Sequence, residues 1–304
     1  MRGRARRLAV TVAISGLAGL LLAGCAAPDG IDRDLTGGWG PMPEPVGWAP
    51  AAATCHPEGY QPASPLAAYQ PVDCELLHVT ETGHIGEFTG DAAERVTPPP
   101  EGSPEWREAY AGCDGGTAEF LGGDFRDGML WLGVSVPSVA AWEGGARWFR
   151  CELVGYDVHA GTFEDRQGSL VGALAGDPEL RLGCHQAGDA DAEGFLEQME
   201  PIACDQPHNA EYVGVWRAPD LPYLAPDDRD SEERVHRGCR EQVAGYVDVP
   251  VDGNLDFRTG TIATWMSEQD WDNGDRGFRC YLWLNGRELD DSLRGAGTDG
   301  LPVR

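Results

Sequence analysis

Hydrophobic and polar residues alternate with a period of two at matching places in the two halves of this chain. Phe278, Cys280, Leu282 and Leu284 fall on one face of a strand, and Arg279, Tyr281 and Trp283 fall on the other. Similar runs predict strands over 75–84 and 210–217, 129–136 and 260–265, and 148–156 and 278–284. Between them lie two stretches with helix signals. Ser103-Pro104 sets a capping residue and a first-turn proline ahead of a helix running to Leu121. Asp230 with Glu233 three residues on reads as a capping box, opening a counterpart that runs to about 247. Strands, one helix, then strands predicts an α+β fold: a small antiparallel sheet with one packed helix, made twice.

The repetition is visible in the letters. Trp142, Gly145, Arg147, Phe149, Arg150 and Cys151 recur as Trp271, Gly274, Arg276, Phe278, Arg279 and Cys280. Each copy closes a set of four cysteines: Cys55, Cys74, Cys113 and Cys151, then Cys184, Cys204, Cys239 and Cys280. Each set opens with Cys-His (Cys55-His56, Cys184-His185). Each holds a Cys-x3-His-x2-Glu element, namely Cys74, His78 and Glu81, then Cys204, His208 and Glu211. Each ends in Ser-Leu-x-Gly-Ala at 169–173 and 292–296. Units of more than 100 residues imply tandem domains with their own cores, at 55–175 and 184–296, with a tail at 297–304.

The ninth cysteine has a different setting. Arg2, Arg4, Arg6 and Arg7 precede an apolar run from Leu8 to Ala23, which ends in Leu22-Ala23-Gly24-Cys25. A basic start, a short apolar stretch and small residues read as a secretory signal over 1–24. Leu-Ala-Gly-Cys resembles the lipobox of bacterial lipoproteins, which implies cleavage before Cys25 and diacylation of its thiol. Two acyl chains give stable membrane attachment where one does not. The Pro- and Gly-rich stretch that follows, 25–54 with the lipidated cysteine, is expected to be a flexible linker. Its Trp39 and Trp48 are expected to dock on the first domain or at the membrane interface. The chain is thus expected at the extracytoplasmic face of the cell membrane, where thiols oxidise. The eight remaining cysteines then read as a disulfide framework. Pairing within each repeat leaves three choices per repeat. The expected one joins neighbours: Cys55 to Cys74, Cys113 to Cys151, Cys184 to Cys204 and Cys239 to Cys280.

Charge narrows the partners. Fifty acidic residues face 23 basic ones, none of them lysine, for a formal charge of −27. Such a surface repels phosphate backbones, so nucleic acid is not an expected partner. Acidic runs such as Asp227-Asp228 and Glu232-Glu233 read as solvated faces.

Candidate chemistry is thin. Cys184, His185, Cys204 and His208 offer four nitrogen and sulfur ligands for zinc. Adjacent Cys-His is poor chelate geometry, however, and oxidised cysteines are neither ligands nor nucleophiles, so no metal and no cofactor is expected. No Ser-His-Asp ordering, nucleophile elbow or phosphate loop is present. Glu211 shares a strand face with Val213 and Val215, and Glu81 shares one with Ile85; a carboxylate on an apolar face needs a partner. The expected pairs are Glu81 with Arg147 and Glu211 with Arg276, in a structural role, with His78 and His208 as strand-start hydrogen-bonding residues. Trp142 and Trp271 are expected in a turn feeding the last strand. Trp131, Trp148, Trp216, Trp265 and Trp283 are expected on exposed faces, where they would form a contact patch.

The element Cys204-Asp-Gln-Pro-His208-Asn-Ala-Glu211, a helical cysteine, and Trp271-x2-Gly274-x-Arg276-x-Phe-x-Cys280 resemble the actinobacterial septum formation domain family. The resemblance covers most of 184–296, and 55–175 more loosely, since Cys74-Glu-Leu-Leu-His78 lacks the proline before histidine. It implies an envelope protein linked to division septa, without a defined activity. The expectation is a non-catalytic binding or scaffold lipoprotein with an envelope or division protein as partner. The alternatives are a cell-wall enzyme using Glu81 or Glu211, and metal handling by the acidic surface.

Overall fold

The computed structural model describes residues 48–176, 179–188 and 199–301. The expected signal peptide, Cys25, Trp39 and the linker up to residue 47 lie outside them. Residues 47–304 make up one compact unit. No helix among the described residues is long and apolar enough to cross a membrane.

The fold is mixed α+β with four disulfides. Eleven strands are described: β1 (Thr54–His56), β2 (Ala63–Ser64), β3 (Thr80–Glu87), β4 (Leu130–Pro137), β5 (Trp148–Asp157), β6 (Thr162–Glu164), β7 (Cys184–Ala187), β8 (Met199–Ile202), β9 (Ala210–Arg217), β10 (Gly260–Thr264) and β11 (Gly277–Trp283). One sheet has the order β1-β3-β5-β4-β2, with β6 continuing beside β5. The other runs β10-β11-β9-β7-β8. The second sheet is antiparallel throughout. The first is not, because β2 joins β4 in parallel. Both central strand pairs carry a register shift, at Thr82/His84 and at Cys280/Tyr281.

One long helix packs on each sheet: α1 (Pro104–Leu121) and α2 (Arg229–Val247). In α1 the Ser103 side chain accepts from the Trp106 N–H, proline follows at the first turn, and Gly122 ends the helix at φ 76°. Its buried positions, Trp106, Ala109, Tyr110, Cys113, Thr117 and Leu121, keep a helical spacing on one face. The start of α2 is shifted from expectation. Asp228 is the cap, and its carboxylate accepts from the Ser231 N–H at 2.9 Å. Glu233 makes no capping box; it reaches Arg237 one turn on at 3.2 Å. The strand expected from Glu75 begins only at Thr80, because the Asp73 carboxylate and carbonyl hold 73–76 in a turn.

The disulfides join Cys55–Cys74, Cys113–Cys151, Cys184–Cys204 and Cys239–Cys280. The second and fourth tie α1 to β5 and α2 to β11. In the chain-entropy picture, loops of this size stabilise by about 3–4 kcal/mol each.

The tryptophans expected at the surface are not there. Trp148 is 8 % exposed, and Trp131, Trp216, Trp265 and Trp283 are all partly buried. Trp216 and Trp265 stack around Phe278, and the Trp131 indole N–H donates to Asp270. Trp216 and Trp265 lie on the helix-facing side of the second sheet, packed with Val235 and Cys239 of α2. The register shift at Cys280/Tyr281 breaks the alternation between Glu211 and Trp216, and Trp265 follows Ala263 on the Cys280 face. Trp48 does pack on the first sheet's side of the molecule, its ring meeting Tyr69 and Trp148 at 4.8 and 5.7 Å between centroids.

Candidate functional site

The two repeated elements of each half meet in space: the Cys-x3-His-x2-Glu element and the closing Ser-Leu-x-Gly-Ala form one buried clamp. Glu81 stands on β3 and Glu211 on β9, and both are fully buried. The Ser169 hydroxyl donates to Glu81 Oε1 at 2.6 Å, and the Leu170 N–H to Oε2 at 2.7 Å. In the second half the Ser292 hydroxyl donates to Glu211 Oε2 at 2.7 Å, and the Leu293 N–H to Oε1 at 2.8 Å. A carboxylate accepts charge-assisted bonds from a loop over 80 residues away and so fixes the closing turn of each half to its central strand.

The second clamp has more donors than the first. Tyr246, on α2, donates to Glu211 Oε2 at 2.6 Å, and His208 Nε2 lies 3.3 Å from Oε1. Burial and the bond to Glu211 push the Tyr246 phenol up to about 12. The His208 ring also faces the Gln206 carbonyl at 2.7 Å through Nδ1, so both ring nitrogens look at oxygen acceptors. Phe120 stands on α1 where α2 has Tyr246, so the helix supplies no phenol to Glu81. His78 keeps the carbonyl contact, Nδ1 to Leu76 at 2.8 Å, but its buried Nε2 has no hydrogen-bond partner among the described residues.

The expected Glu81–Arg147 and Glu211–Arg276 pairs are not formed. Glu81 is opposite Leu153 and Glu211 opposite Leu282 in the ladders, six residues along the partner strand from each arginine. The arginines serve the tryptophans instead. Arg147 lies over the Trp142 ring at 4.2 Å and donates to the carbonyls of Trp142, Ala146 and Ala93. Arg276 lies over Trp271 at 4.1 Å and donates to the carbonyls of Trp271 and Asp275. The expected turn is a short helix in each case, Val139–Glu143 and Glu268–Asn273, capped by Ser138 and Ser267. The repeated Trp-to-Arg spacing is therefore a helix C-terminus closed by a guanidinium that also covers the indole.

Metal chemistry has little to work with. Cys55, Cys74 and Glu81 come together, as do Cys184, His208 and Glu211, with ligand atoms within 4.8 Å of one another. Their sulfurs are spent in disulfides, and the carboxylates already hold loop donors. The other member of the proposed zinc set, His185, points away: its Nε2 is 3.2 Å from His159 Nε2.

Two further polar clusters carried no signal strong enough to be read from the sequence. Behind the first sheet, Arg150 Nε lies 3.0 Å from Glu152, and Thr82 donates to both Glu152 oxygens at 3.2 Å. Burial pushes the Glu152 carboxyl up, against the pull of Arg150, and burial beside Arg150 lowers His56 to about 4. Between the two sheets, Arg126 is fully buried and reaches Asp114, Asp124 and Asp275 at 2.8, 3.0 and 2.7 Å. Arg217 closes the group on Asp114 and Asp124. These acids sit among fifty, so composition alone could not single them out.

The fold and the clamp define a disulfide-stapled α+β protein whose one repeated ionisable constellation is turned inward. A family model described as septum formation matches residues 52–280 in one stretch that crosses both halves, and the chain belongs to that family. No curated protein and no solved structure matches it.

Proposed function

We propose that this chain is a membrane-anchored extracytoplasmic lipoprotein whose two septum formation-like domains act as a non-catalytic binding or scaffold module in cell division. One observation carries the non-catalytic reading: Glu81 and Glu211 are both fully buried, with their oxygens held by loop donors. A general acid or base must reach a substrate proton, and these carboxylates are committed to the fold. Family membership supports the division role, and four disulfides support an oxidising compartment. Leu22-Ala23-Gly24-Cys25 supports the lipid anchor.

The test is affinity capture of the full-length chain from its own envelope, run beside a wall-fragment turnover assay. Recovery of a reproducible division-machinery partner, with no turnover, is the expected result. Turnover that is lost in Glu81→Gln or Glu211→Gln while the fold persists would reverse the reading. The anchor is tested separately: Cys25→Ser should move the chain from the membrane fraction to the soluble one.

A further inference from the structure

We propose that the outer edge of β10 receives an extended, positively charged segment of a second polypeptide as an added strand. The fold itself shows how that position is filled. Val134 of β4 is opposite Cys151, and Ala263 of β10 is opposite Cys280, so the two strands take the same place in their sheets. Each also leads into a Ser-capped short helix, at Ser138 and Ser267. On the outer side of β4 the chain lays its own strand. Ala63 and Ser64 pair with Val136 and Pro137, the Val136 N–H donates to the Pro62 carbonyl at 2.9 Å, and the Tyr60 hydroxyl donates to the Val134 carbonyl at 2.7 Å.

The corresponding groups of the second sheet are the Ala263 carbonyl and the Trp265 N–H. Neither has a hydrogen-bond partner among the described residues, and β10 ends its sheet, pairing with β11 alone. Residues 260–264 hold no charge and no proline, two of the usual devices that blunt an open edge. The strand is nonetheless held from both faces. Thr261 Oγ1 meets His236 of α2 at 2.7 Å, and Ile262 packs beside the buried Tyr212 and Tyr281. A fixed, uncharged, partly exposed edge is a preformed site for strand addition, in which main-chain bonds supply affinity and side chains supply selectivity.

Charge selects the occupant. The chain carries −27, Glu232 and Arg240 both act on His236 beside Thr261, and Glu268 follows the strand's end. A second copy brings the same excess of negative charge, whereas an arginine- or lysine-bearing segment is attracted. This inference rests on the binding role proposed above. It can fail on its own: a division partner captured equally well by Ala263→Pro leaves that role standing and removes β10 from it.

The experiment uses the full-length, isotope-labelled chain and synthetic Thr-Val-Arg repeat peptides, with Thr-Val-Glu repeats as controls. In the free chain the Trp265 amide should exchange with solvent much faster than that of Val136. The arginine peptide should shift the resonances of 260–265 and slow Trp265 exchange by about tenfold or more; the glutamate peptide should not. Ala263→Pro removes an N–H that points away from β11, so it should weaken binding about tenfold while keeping the ladder. Should that variant not fold, peptides N-methylated at alternate residues give the same answer on the unaltered chain, and they should not bind. Three results would each overturn the inference. They are a Trp265 amide as protected as Val136 in the free chain, no shift at 260–265 up to millimolar arginine peptide, or equal binding of the N-methylated peptides.

Discussion

Glu211 and Glu81 do the same job with different numbers of donors, and the difference can be measured. Removing Glu211 strands a hydroxyl, a backbone N–H, the Tyr246 phenol and the His208 ring in a buried site. Leaving buried donors unpaired costs about 1–3 kcal/mol per group, partly relieved by relaxation, so Glu211→Ala should lose about 4 kcal/mol or more. Glu81→Ala strands only Ser169 and Leu170 and should lose about half as much. Urea unfolding of the two variants checks this; an equal or larger loss at Glu81 would refute the unequal-clamp account. Neither glutamate's partner could be read from periodicity. A strand pattern says that Glu81 faces inward, but not which residue 88 positions on will meet it. The arginines were the nearest cations by motif and the wrong ones by register, since they stand at the far end of the partner strand.

Histidine burial sets a pH window at the same scale. His56 is 4 % exposed and His185 1 %, and burial holds both near 4, with Arg150 adding to the shift at His56 and His159 at His185. A depressed histidine binds its proton more readily in the unfolded chain. Stability is therefore fully present above about 6.5, the unfolded value, and is lost as pH falls towards 4, by up to about 3 kcal/mol per histidine. Glu152, pushed up by burial, works in the opposite direction as it takes up its proton. The net expectation is a fall in Tm between pH 7 and 5, and the slope should be shallower in His185→Gln. A flat profile would mean that the rings can be charged in place.

At the scale of elements, the two halves solve one packing problem in opposite ways. On the first helix–strand contact, His84 of β3 leans over Gly116 of α1, and a Cβ at Gly116 would come within 2.3 Å of the His84 ring. In the second half the small residue is on the strand and the large one on the helix: a Cβ at Gly214 would come within 3.4 Å of the Gln242 side chain. Gly116→Gln alone should therefore destabilise by about 1–3 kcal/mol through overpacking. Adding His84→Gly should recover a good part of that loss, giving a double-mutant coupling of about 1 kcal/mol or more. Independent effects of the two changes would show that the contact is soft. Element types, the helical cysteines and strand faces were legible here because alternation and helical spacing are local properties. Size complementarity between a helix and a strand is not local, and each half of the swap looks unremarkable in one dimension.

The whole molecule depends on what the second face of each sheet meets. Tyr281, in the middle of β11, is fully buried although alternation puts it opposite the helix-facing set, and Tyr212 beside it donates to Asp127 of the first half at 2.7 Å. Arg279 crosses to the carbonyls of Arg126 and Leu130 at 3.0 and 2.6 Å. Its counterpart Arg150 stays within its own half, facing Glu152 and Ser135, so one motif position has acquired two roles. Room for the central cation depends on Gly277, where a Cβ would fall within 2.3 Å of Arg126 Nε; the first half has Trp148 at that position. Arg126 is then the residue on which the junction turns. Cutting it back to alanine leaves Asp275, Asp114 and Asp124 close together without their shared buried cation, and breaking a buried pair of this kind costs about 3–5 kcal/mol. The intact chain should unfold in a single calorimetric transition because the halves share this junction. Arg126→Ala should lower the midpoint and resolve two transitions, one for each disulfide-stapled half. A single transition retained in the variant would instead assign the coupling to the buried tyrosines and Arg279, which can be tested next with Tyr212→Phe in the same background.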